Sequence, residues 1–463
     1  MAEKAFQIAV IGGGPAGYVA AIRGAQLGAS VVLFEKDTIG GTCLNRGCIP
    51  TKTYIKTADV LNEIRSASQR GIKNDPNAVV DMPVVKAYKD QVVRQLTSGV
   101  AALLRSNRVT VIKGEASLVD EHTILCNGAS YQADSILLCG GAKACSIPIP
   151  GIEDPNVLNS TDILEITELP RRLAIIGGGV IGCEMATAFR GFGSEVTIVE
   201  AADRLLPMMD RELSEALAPC MEKQGVRLML SSQITRIENA GSSSRILCAG
   251  GDVVEADKIL LSVGRTTDTS CLGALAGRLA VENGKVLADE HLRTSIPNIY
   301  AAGDINGKLM LAHTAFKMGE VAAENAMGIH RSINLSAVPS CVYTSPQAAS
   351  VGITEAEAEA KYGAASLKIG RFPFSANGRS LASGETEGFV KVIVLEKYSE
   401  LLGVHIFGAQ AAEMISEPAS LIASEVTAEE AADIIHAHPS VSEAFMEACS
   451  AALGRCIHLP AKH

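Results

Sequence analysis

One unit occurs twice in this chain, and it fixes the kind of fold open to it. Residues 6–11, Phe-Gln-Ile-Ala-Val-Ile, read as a buried parallel strand. Gly12, Gly14 and Gly17 follow as G-x-G-x-x-G, then an alanine-rich helical stretch, then a second strand over 30–34 that ends at Glu35. The same order returns 165 residues later, with a strand over 173–176, then Gly177, Gly179 and Gly182, then a strand ending at Glu200. In both copies the acid stands 18 positions after the last glycine, and Gly28 and Gly193 match at the same 165-residue offset. A lone glycine fingerprint is weak; strand, glycines, helix, strand and terminal acid in that order define a dinucleotide-binding unit. The first glycine permits the tight turn, the second lets backbone approach a pyrophosphate, and the third lets the helix pack close to the strand. The helix N-terminus then offers free amides to the phosphates. Glu35 and Glu200 are placed to accept from a ribose 2′-hydroxyl. Two nucleotide sites are expected, as a repeat of domains rather than a solenoid.

Between the two copies stands Gly-Gly-Thr-Cys-Leu-Asn-Arg-Gly-Cys-Ile-Pro-Thr-Lys, residues 40–52. Cys43 and Cys48 have four residues between them, and Lys52 follows one helical turn later. A dithiol so near the first fingerprint touches whatever flat redox cofactor that site binds. FAD is therefore expected there, since a flavin accepts hydride and exchanges electrons with sulfur while the protein supplies position and electrostatics. At the second site the Glu200 carboxylate would repel a 2′-phosphate, and Ala201, Ala202 and Asp203 precede the first arginine, Arg204. NAD(H) is expected over NADP(H).

The 463 residues exceed one ordinary core, so two to four domains are expected. Most of the 12 cysteines stand alone, as Cys126, Cys139, Cys220, Cys248 and Cys271 do, and read as buried small apolar groups. No Cys/His cluster has zinc spacing, so no metal is expected. A net charge of −10 argues against nucleic acid or an anionic membrane as partner. No run of 18 apolar residues and no secretory leader is present, so a cytoplasmic location is expected. In a reducing cytosol a specific cysteine pair is more often catalytic than structural.

Residues 294–304 read as a strand ending in Gly303-Asp304. Alone, such a pair is usually a turn; beside two fingerprints it reads as a contact to a ribityl or phosphate group. Met310, Leu311, Ala312 and His313 then open a helix whose N-terminus could face the flavin, and His313 by itself fits a structural or a functional role. From about Val338 the pattern changes to an α+β domain without a fingerprint. Strands are expected over 342–344, 390–394 and 402–406, and helices over 411–424 and 427–436. A histidine five residues before a glutamate is commonplace on a solvated surface, but the rigid Pro439 between His438 and Glu443 favours a fixed imidazole–carboxylate pair.

Taken together, GGTCLNRGCIPTK (40–52), GGGVIGCE (177–184), AAGDINGKLMLAH (301–313), YTSPQAASVG (343–352), FSANGRSLASGETEGF (374–389) and HAHPSVSEAF (436–445) resemble the flavin-dependent disulfide oxidoreductases, and among them the dihydrolipoamide dehydrogenases. The resemblance covers essentially the whole chain. It implies an α/β fold with an FAD domain over 1–149 and 271–337, an NAD domain over 150–270, and a C-terminal α+β dimerisation domain over 338–463. It implies that Cys43 exchanges with dihydrolipoyl sulfur, that Cys48 lies against the flavin as a thiolate, and that Lys52 stabilises the reduced flavin. His438 would be the acid–base group, held by Glu443 and acting across an obligate homodimer. FAD contacts are implied for Gly12, Gly14, Gly17, Glu35, Thr42, Lys52, Gly114, Gly141, Asp304 and residues 310–313. NAD contacts are implied for Gly177, Gly179, Gly182, Glu184, Glu200 and Gly264. With no lipoyl-bearing extension before the first fingerprint, the lipoyl groups are expected on partner proteins of a 2-oxo acid dehydrogenase or glycine cleavage complex.

Two departures stand out. Gly140-Gly141 occupies the place of a usual Thr-Gly, and Thr51 that of a serine. Three rivals differ on particular residues. An NADPH-dependent disulfide reductase conflicts with Glu200. Mercuric reductase needs a vicinal cysteine pair near the end, whereas Cys449 and Cys456 are separate. A non-catalytic docking subunit would have no reason to keep every catalytic element.

Overall fold

The computed structural model describes residues 4–460. Its first sheet has seven strands built around Lys4–Ile11. Val31–Glu35 and then Thr110–Lys113 lie parallel on one side of it, and Ala129–Leu138 lies parallel on the other. Thr123–Cys126 and Ala116–Leu118 extend the sheet antiparallel, and Ile299–Ala301 returns to pair with Ala129–Leu138. The chain therefore leaves Lys4–Ile11 in one direction and comes back on its opposite flank. That reversal opens a crevice at the carboxyl ends of the strands, where α/β sheets bind ligands. The strands are continuous apolar runs (Ile8, Ala9 and Val10 are fully buried) because both faces are covered.

The second unit repeats this plan. Arg172–Ile176 is central, with Glu195–Val199 and Arg227–Met229 on one side and Lys258–Leu261 and Val157–Leu158 on the other, all parallel. A three-stranded antiparallel sheet, Ile234–Asn239, Ser244–Cys248 and Val253–Ala256, covers it. The crossings between the two units, Ala142–Ala144 and Arg265–Thr267, pair antiparallel with each other.

The third unit is a five-stranded antiparallel sheet in the order Ser340–Val342, Gln347–Gly352, Glu400–Gly408, Phe389–Leu395, Leu367–Pro373. The helix Glu443–Ala452 buries Ala444, Phe445, Ala448 and Cys449 in the core it shares with that sheet. Several local expectations shift. The strand expected over 294–304 shortens to Ile299–Ala301, with Gly303 and Asp304 in the turn after it, and the helix expected over 411–424 divides into Ala411–Met414 and Ser416–Ala423. The strand expected over 342–344 runs over 340–342 and leaves Tyr343 free to turn its amide elsewhere. The helix expected over 427–436 stops at Asp433, where Ile434 turns extended and its carbonyl is taken by the His436 ring.

A buried ionic cluster joins the second and third units. Lys391 and Asp210, 1% and 2% exposed, meet at 2.8 Å. Glu212 and Glu355 reach the same ammonium at 2.8 and 2.6 Å. Arg371 completes the cluster by donating to Glu212. Asp210 also caps the helix Arg211–Lys223 and accepts the Glu355 amide.

Candidate active site

Both fingerprints build the same cradle. Gly12 has φ +103° and a Cβ there would lie 2.2 Å from the Cys139 carbonyl oxygen; Gly177 has φ +106° and its Cβ would lie 2.6 Å from that of Ser262. Each glycine is thus wedged against the end of the neighbouring parallel strand, Ala129–Leu138 or Lys258–Leu261. Gly17 and Gly182 back directly onto the carbonyls of Gly12 and Gly177. Gly14 and Gly179 differ: a Cβ on Gly14 would meet nothing nearer than 3.8 Å, and one on Gly179 nothing within 4 Å. These two residues cap the helices Pro15–Gln26 and Val180–Phe192 without a side-chain hydrogen bond, so open space and free amides coincide at each helix N-terminus. The acids match as well. Glu35 accepts from the amides of Gly13 and Asp37, both at 2.7 Å, and Glu200 from those of Gly178 and Ala202 at 2.5 and 2.7 Å. Each carboxylate is fixed at the rim of its cradle. Burial pushes the Glu35 carboxyl up, against the Gly13 amide and nearby Lys36 and Arg46. The residues therefore fit two dinucleotides.

The dithiol segment packs on the first cradle. A Cβ on Gly41 would fall 2.6 Å from the Gly14 Cα, and Gly40 donates to the Gly13 carbonyl. Cys43 lies in the short helix Gly41–Arg46, and Cys48 opens the helix Cys48–Ser66. Both are free thiols. Their environments are unequal. Hydrogen bonding to Cys48, burial and the Cys48 charge drive Cys43 far above the usual thiol range. The hydrogen bond from Cys43 lowers Cys48 to about 7 against the effect of burial, with help from Lys52 and the helix N-terminal amide. Cys48 is the thiolate of the pair and Cys43 the thiol.

Lys52, one turn into the same helix, reaches the second unit. Its ammonium lies 2.8 and 2.7 Å from the two oxygens of Glu184, which is almost fully buried in the second fingerprint helix. It also sits 4.5 Å from the Tyr343 ring centroid, and the Tyr343 amide donates to Glu184 at 3.0 Å. All three units meet here. Sequence reading placed Lys52 and Glu184 near the same reaction but gave no sign that they pair, nor any role for Tyr343.

Arg265 was also missed, although it directly follows Gly264. Its guanidinium donates to the Ala142 carbonyl and to Thr42 Oγ1. Burial lowers its pKa, while the charges of Asp304 and Cys48 oppose that. Asp304 is pushed up by burial and held back by Arg265. Gly141 and Gly264 both have positive φ with open space beside them, whereas Gly114 is packed against Asn127 and Cys126. Met310 and Leu311 lead into the helix Ala312–Ala326, which Leu311 caps and Ala312 opens. His313 donates through Nε2 to the Pro339 carbonyl at 2.8 Å, tying that helix to the third unit.

His438 and Glu443 form the expected pair, with Nδ1 2.9 Å from Oε1. Glu443 opens its helix and takes the Ser440 amide on its other oxygen at 2.7 Å. Burial raises its pKa, but Ser440, His438 and His436 outweigh that and hold it below the usual range. A carboxylate on Nδ1 assigns the neutral ring's proton there and leaves the Nε2 lone pair free. The His438 side chain is 78% exposed, and among the described residues nothing in the same chain joins it to Cys43 or Cys48 by a hydrogen bond or ion pair.

Two nucleotide cradles, a dithiol against one of them, and a third sheet domain define a class of redox enzyme. A model of the pyridine nucleotide-disulphide oxidoreductases matches residues 6–319, and one of that family's dimerisation domain matches 338–449. The chain belongs to the pyridine nucleotide–disulphide oxidoreductase family, whose dihydrolipoyl dehydrogenases use FAD and NAD. Among its relatives is dihydrolipoyl dehydrogenase of Chlamydia trachomatis, 40% identical with 99% of each chain covered. Another is that of Bacillus subtilis, 38% identical over 97% of this chain and 99% of the relative. Among solved structures, the HOCl-induced flavoprotein disulfide reductase RclA of Escherichia coli superposes with TM-score 0.87 at 30% identity, covering 97% and 99% of the two chains. LpdA of Mycobacterium tuberculosis superposes with TM-score 0.89 at 28% identity, covering 96% and 99%.

Proposed function

We propose that this chain is a dihydrolipoyl dehydrogenase, which oxidises dihydrolipoyl groups on partner proteins to the cyclic disulfide and reduces NAD⁺. The observation that carries the reading is the asymmetry of Cys43 and Cys48 on the first cradle. Thiol–disulfide exchange is fastest when the departing sulfur is the better thiolate. In the oxidised Cys43–Cys48 pair, a dihydrolipoyl thiolate attacks Cys43 and Cys48 departs, stabilised by Lys52 and its helix N-terminus. His438 Nε2 takes the proton of the incoming thiol, and Glu443 orients and steadies the imidazole. The second lipoyl thiol then attacks the mixed disulfide at the first lipoyl sulfur, its proton passing to the departing Cys43. The lipoyl disulfide closes, Cys43 leaves as a thiol, and His438 keeps the first proton as imidazolium. FAD, when bound, supplies a two-electron relay between sulfur and nicotinamide. Gly14, Glu35, Thr42 and Asp304 would hold it; Gly179, Glu184 and Glu200 would hold NAD.

We assign residues 1–149 and 271–337 to the FAD domain, 150–270 to the NAD domain and 338–463 to the dimer interface; the paired crossings near 142 and 267 support this division. The exposure of His438 supports a site shared between two chains, with the third domain of one serving the dithiol of the other. The partners are lipoyl-bearing proteins of a 2-oxo acid dehydrogenase or glycine cleavage complex. A cytoplasmic location suits a dithiol that must cycle.

The test is NAD⁺ reduction by free dihydrolipoamide, repeated with NADP⁺. Turnover with NAD⁺ that disappears in Cys43→Ser is expected. Absence of turnover in the flavin-loaded protein would contradict the reading.

A further inference from the structure

A second histidine–carboxylate pair lies two residues before the first. His436 Nε2 is 2.7 Å from Glu417 Oε1, and Nδ1 is 2.9 Å from the Ile434 carbonyl oxygen. Its side chain is 6% exposed, against 78% for His438. A carbonyl only accepts, and an ionised carboxylate only accepts. With acceptors on both ring nitrogens, His436 is an imidazolium. Among the described residues His438 has one acceptor, Glu443, and no partner on Nε2. The two rings thus differ in partnering: acceptors hold both nitrogens of His436 and only one nitrogen of His438.

We propose that His436, clamped by Glu417, is a positioning residue for the exchange reaction, anchoring the segment that carries His438 and keeping the His438–Glu443 pair in its working protonation state. The proposal rests on the reading of His438 as the base. Two anchors already hold the far side of that segment: the Ser440 amide donates to Glu443, and the Ser440 carbonyl accepts from Asn377. On the near side, past the end of the helix Ala428–Asp433, the hydrogen bond from His436 to Glu417 is, among the described residues, the one polar contact to the helix Ser416–Ala423. Ile435, 97% exposed, adds no packing there. The charge reaches further than the contact. The groups facing His436 are Glu417 from Ser416–Ala423 and Glu443 from Glu443–Ala452. Cys449, which faces Glu417, is kept neutral by burial. The Glu417 hydrogen bond raises the His436 pKa, and His436 in turn helps lower that of Glu443.

The experiment compares His436→Gln and Glu417→Gln with wild type, as flavin-loaded dimers. It records kcat/KM for dihydrolipoamide across pH, and NADH oxidation by an artificial acceptor that bypasses the dithiol. In His436→Gln, kcat/KM for dihydrolipoamide falls about tenfold, a part of what a general base supplies. The acid limb of its profile moves to higher pH, because the pair holds its proton more tightly without the buried positive charge. Glu417→Gln moves the same way by less, since it removes both charges of the clamp. Artificial-acceptor turnover stays within about twofold in both, as the base takes no part in it. Unchanged kcat/KM and an unmoved limb in both variants would overturn the proposal, as would a parallel loss of artificial-acceptor turnover in Glu417→Gln. If His436→Gln does not fold, Glu417→Gln decides by the same criteria. His438→Gln, run alongside, separates the premise: near-normal lipoamide turnover in that variant removes the base itself, whereas its loss with His436→Gln unaffected sinks this proposal alone.

Discussion

Lys52 and Glu184 close a salt bridge between two domains: one follows the dithiol by a turn, the other sits in the second fingerprint helix, and both carboxylate oxygens lie within 2.8 Å of the ammonium. The pair stands where electrons must pass from the sulfur side to the nicotinamide side. Glu184→Gln keeps the shape and removes the charge. A charge-assisted hydrogen bond of this exposure contributes about 1–2 kcal/mol, so kcat/KM for NAD⁺ falls by roughly tenfold. Steady-state kinetics with saturating dihydrolipoamide checks it; an unchanged value would mean the bridge is only architectural.

Cys48 titrates near neutrality while Cys43 does not. In the reduced wild-type protein, Cys48 is the low-pKa thiol of the pair and Cys43 stays protonated as its hydrogen-bond donor. The Cys48 thiolate absorbance in the ultraviolet rises with pH through a midpoint of about 7 and fades below it. A midpoint in the range of an unperturbed thiol, about 8.5, would show that the Cys43 hydrogen bond, Lys52 and the helix N-terminus do not act on it.

Nucleotide choice follows from Glu200. With its oxygens fixed by the amides of Gly178 and Ala202, the carboxylate cannot swing away from a 2′-phosphate. Placing the phosphate there costs about 3 kcal/mol, so NAD⁺ surpasses NADP⁺ by roughly two orders of magnitude in kcat/KM. Similar efficiency with the two nucleotides would refute the assignment.

The buried cluster around Lys391 makes a stability prediction. Lys391→Met leaves Asp210 buried with its cation gone and Glu212 and Glu355 beside it, which costs about 3–5 kcal/mol. A lowered urea midpoint with an unchanged slope checks this. Arg371, with help from Lys391, also holds Glu212 at about 2. A depressed carboxyl contributes stability that is present above its unfolded value of about 4.3 and lost as pH falls toward 2. Glu212→Gln lacks that contribution, so it is less stable than wild type at neutral pH, the two converge as pH falls toward 2, and its acid-unfolding midpoint moves to higher pH.

What the sequence made legible was local. Both cradles could be read because strand, glycines, helix and acid follow one another within 30 residues, and each glycine's need is set by backbone geometry alone. Cys43, Cys48 and Lys52 were legible for the same reason, as was His438 with Glu443. The unread residues act across long separations. Lys52 meets Glu184 132 positions on, Lys391 meets Asp210 181 positions back, and Arg265 reaches Thr42 across 223. Charged residues carry no period that marks a partner, so only the docking of the domains reveals them. His436 was read past for another reason: its proximity to Glu417 depends on the helix ending at Asp433, and sequence reading carried that helix on to residue 436.

The most direct test of the whole account is a mixed dimer of Cys43→Ser and His438→Gln subunits, assayed for dihydrolipoamide-dependent NAD⁺ reduction. Each parent homodimer is inactive, one for want of the exchange sulfur and the other for want of the base. If the third domain of one chain serves the dithiol of the other around a twofold axis, one site of the heterodimer carries both lesions and the other carries neither, so about half of wild-type activity returns. A heterodimer that is confirmed to form and yet stays inactive would contradict the shared site of Cys43 and His438.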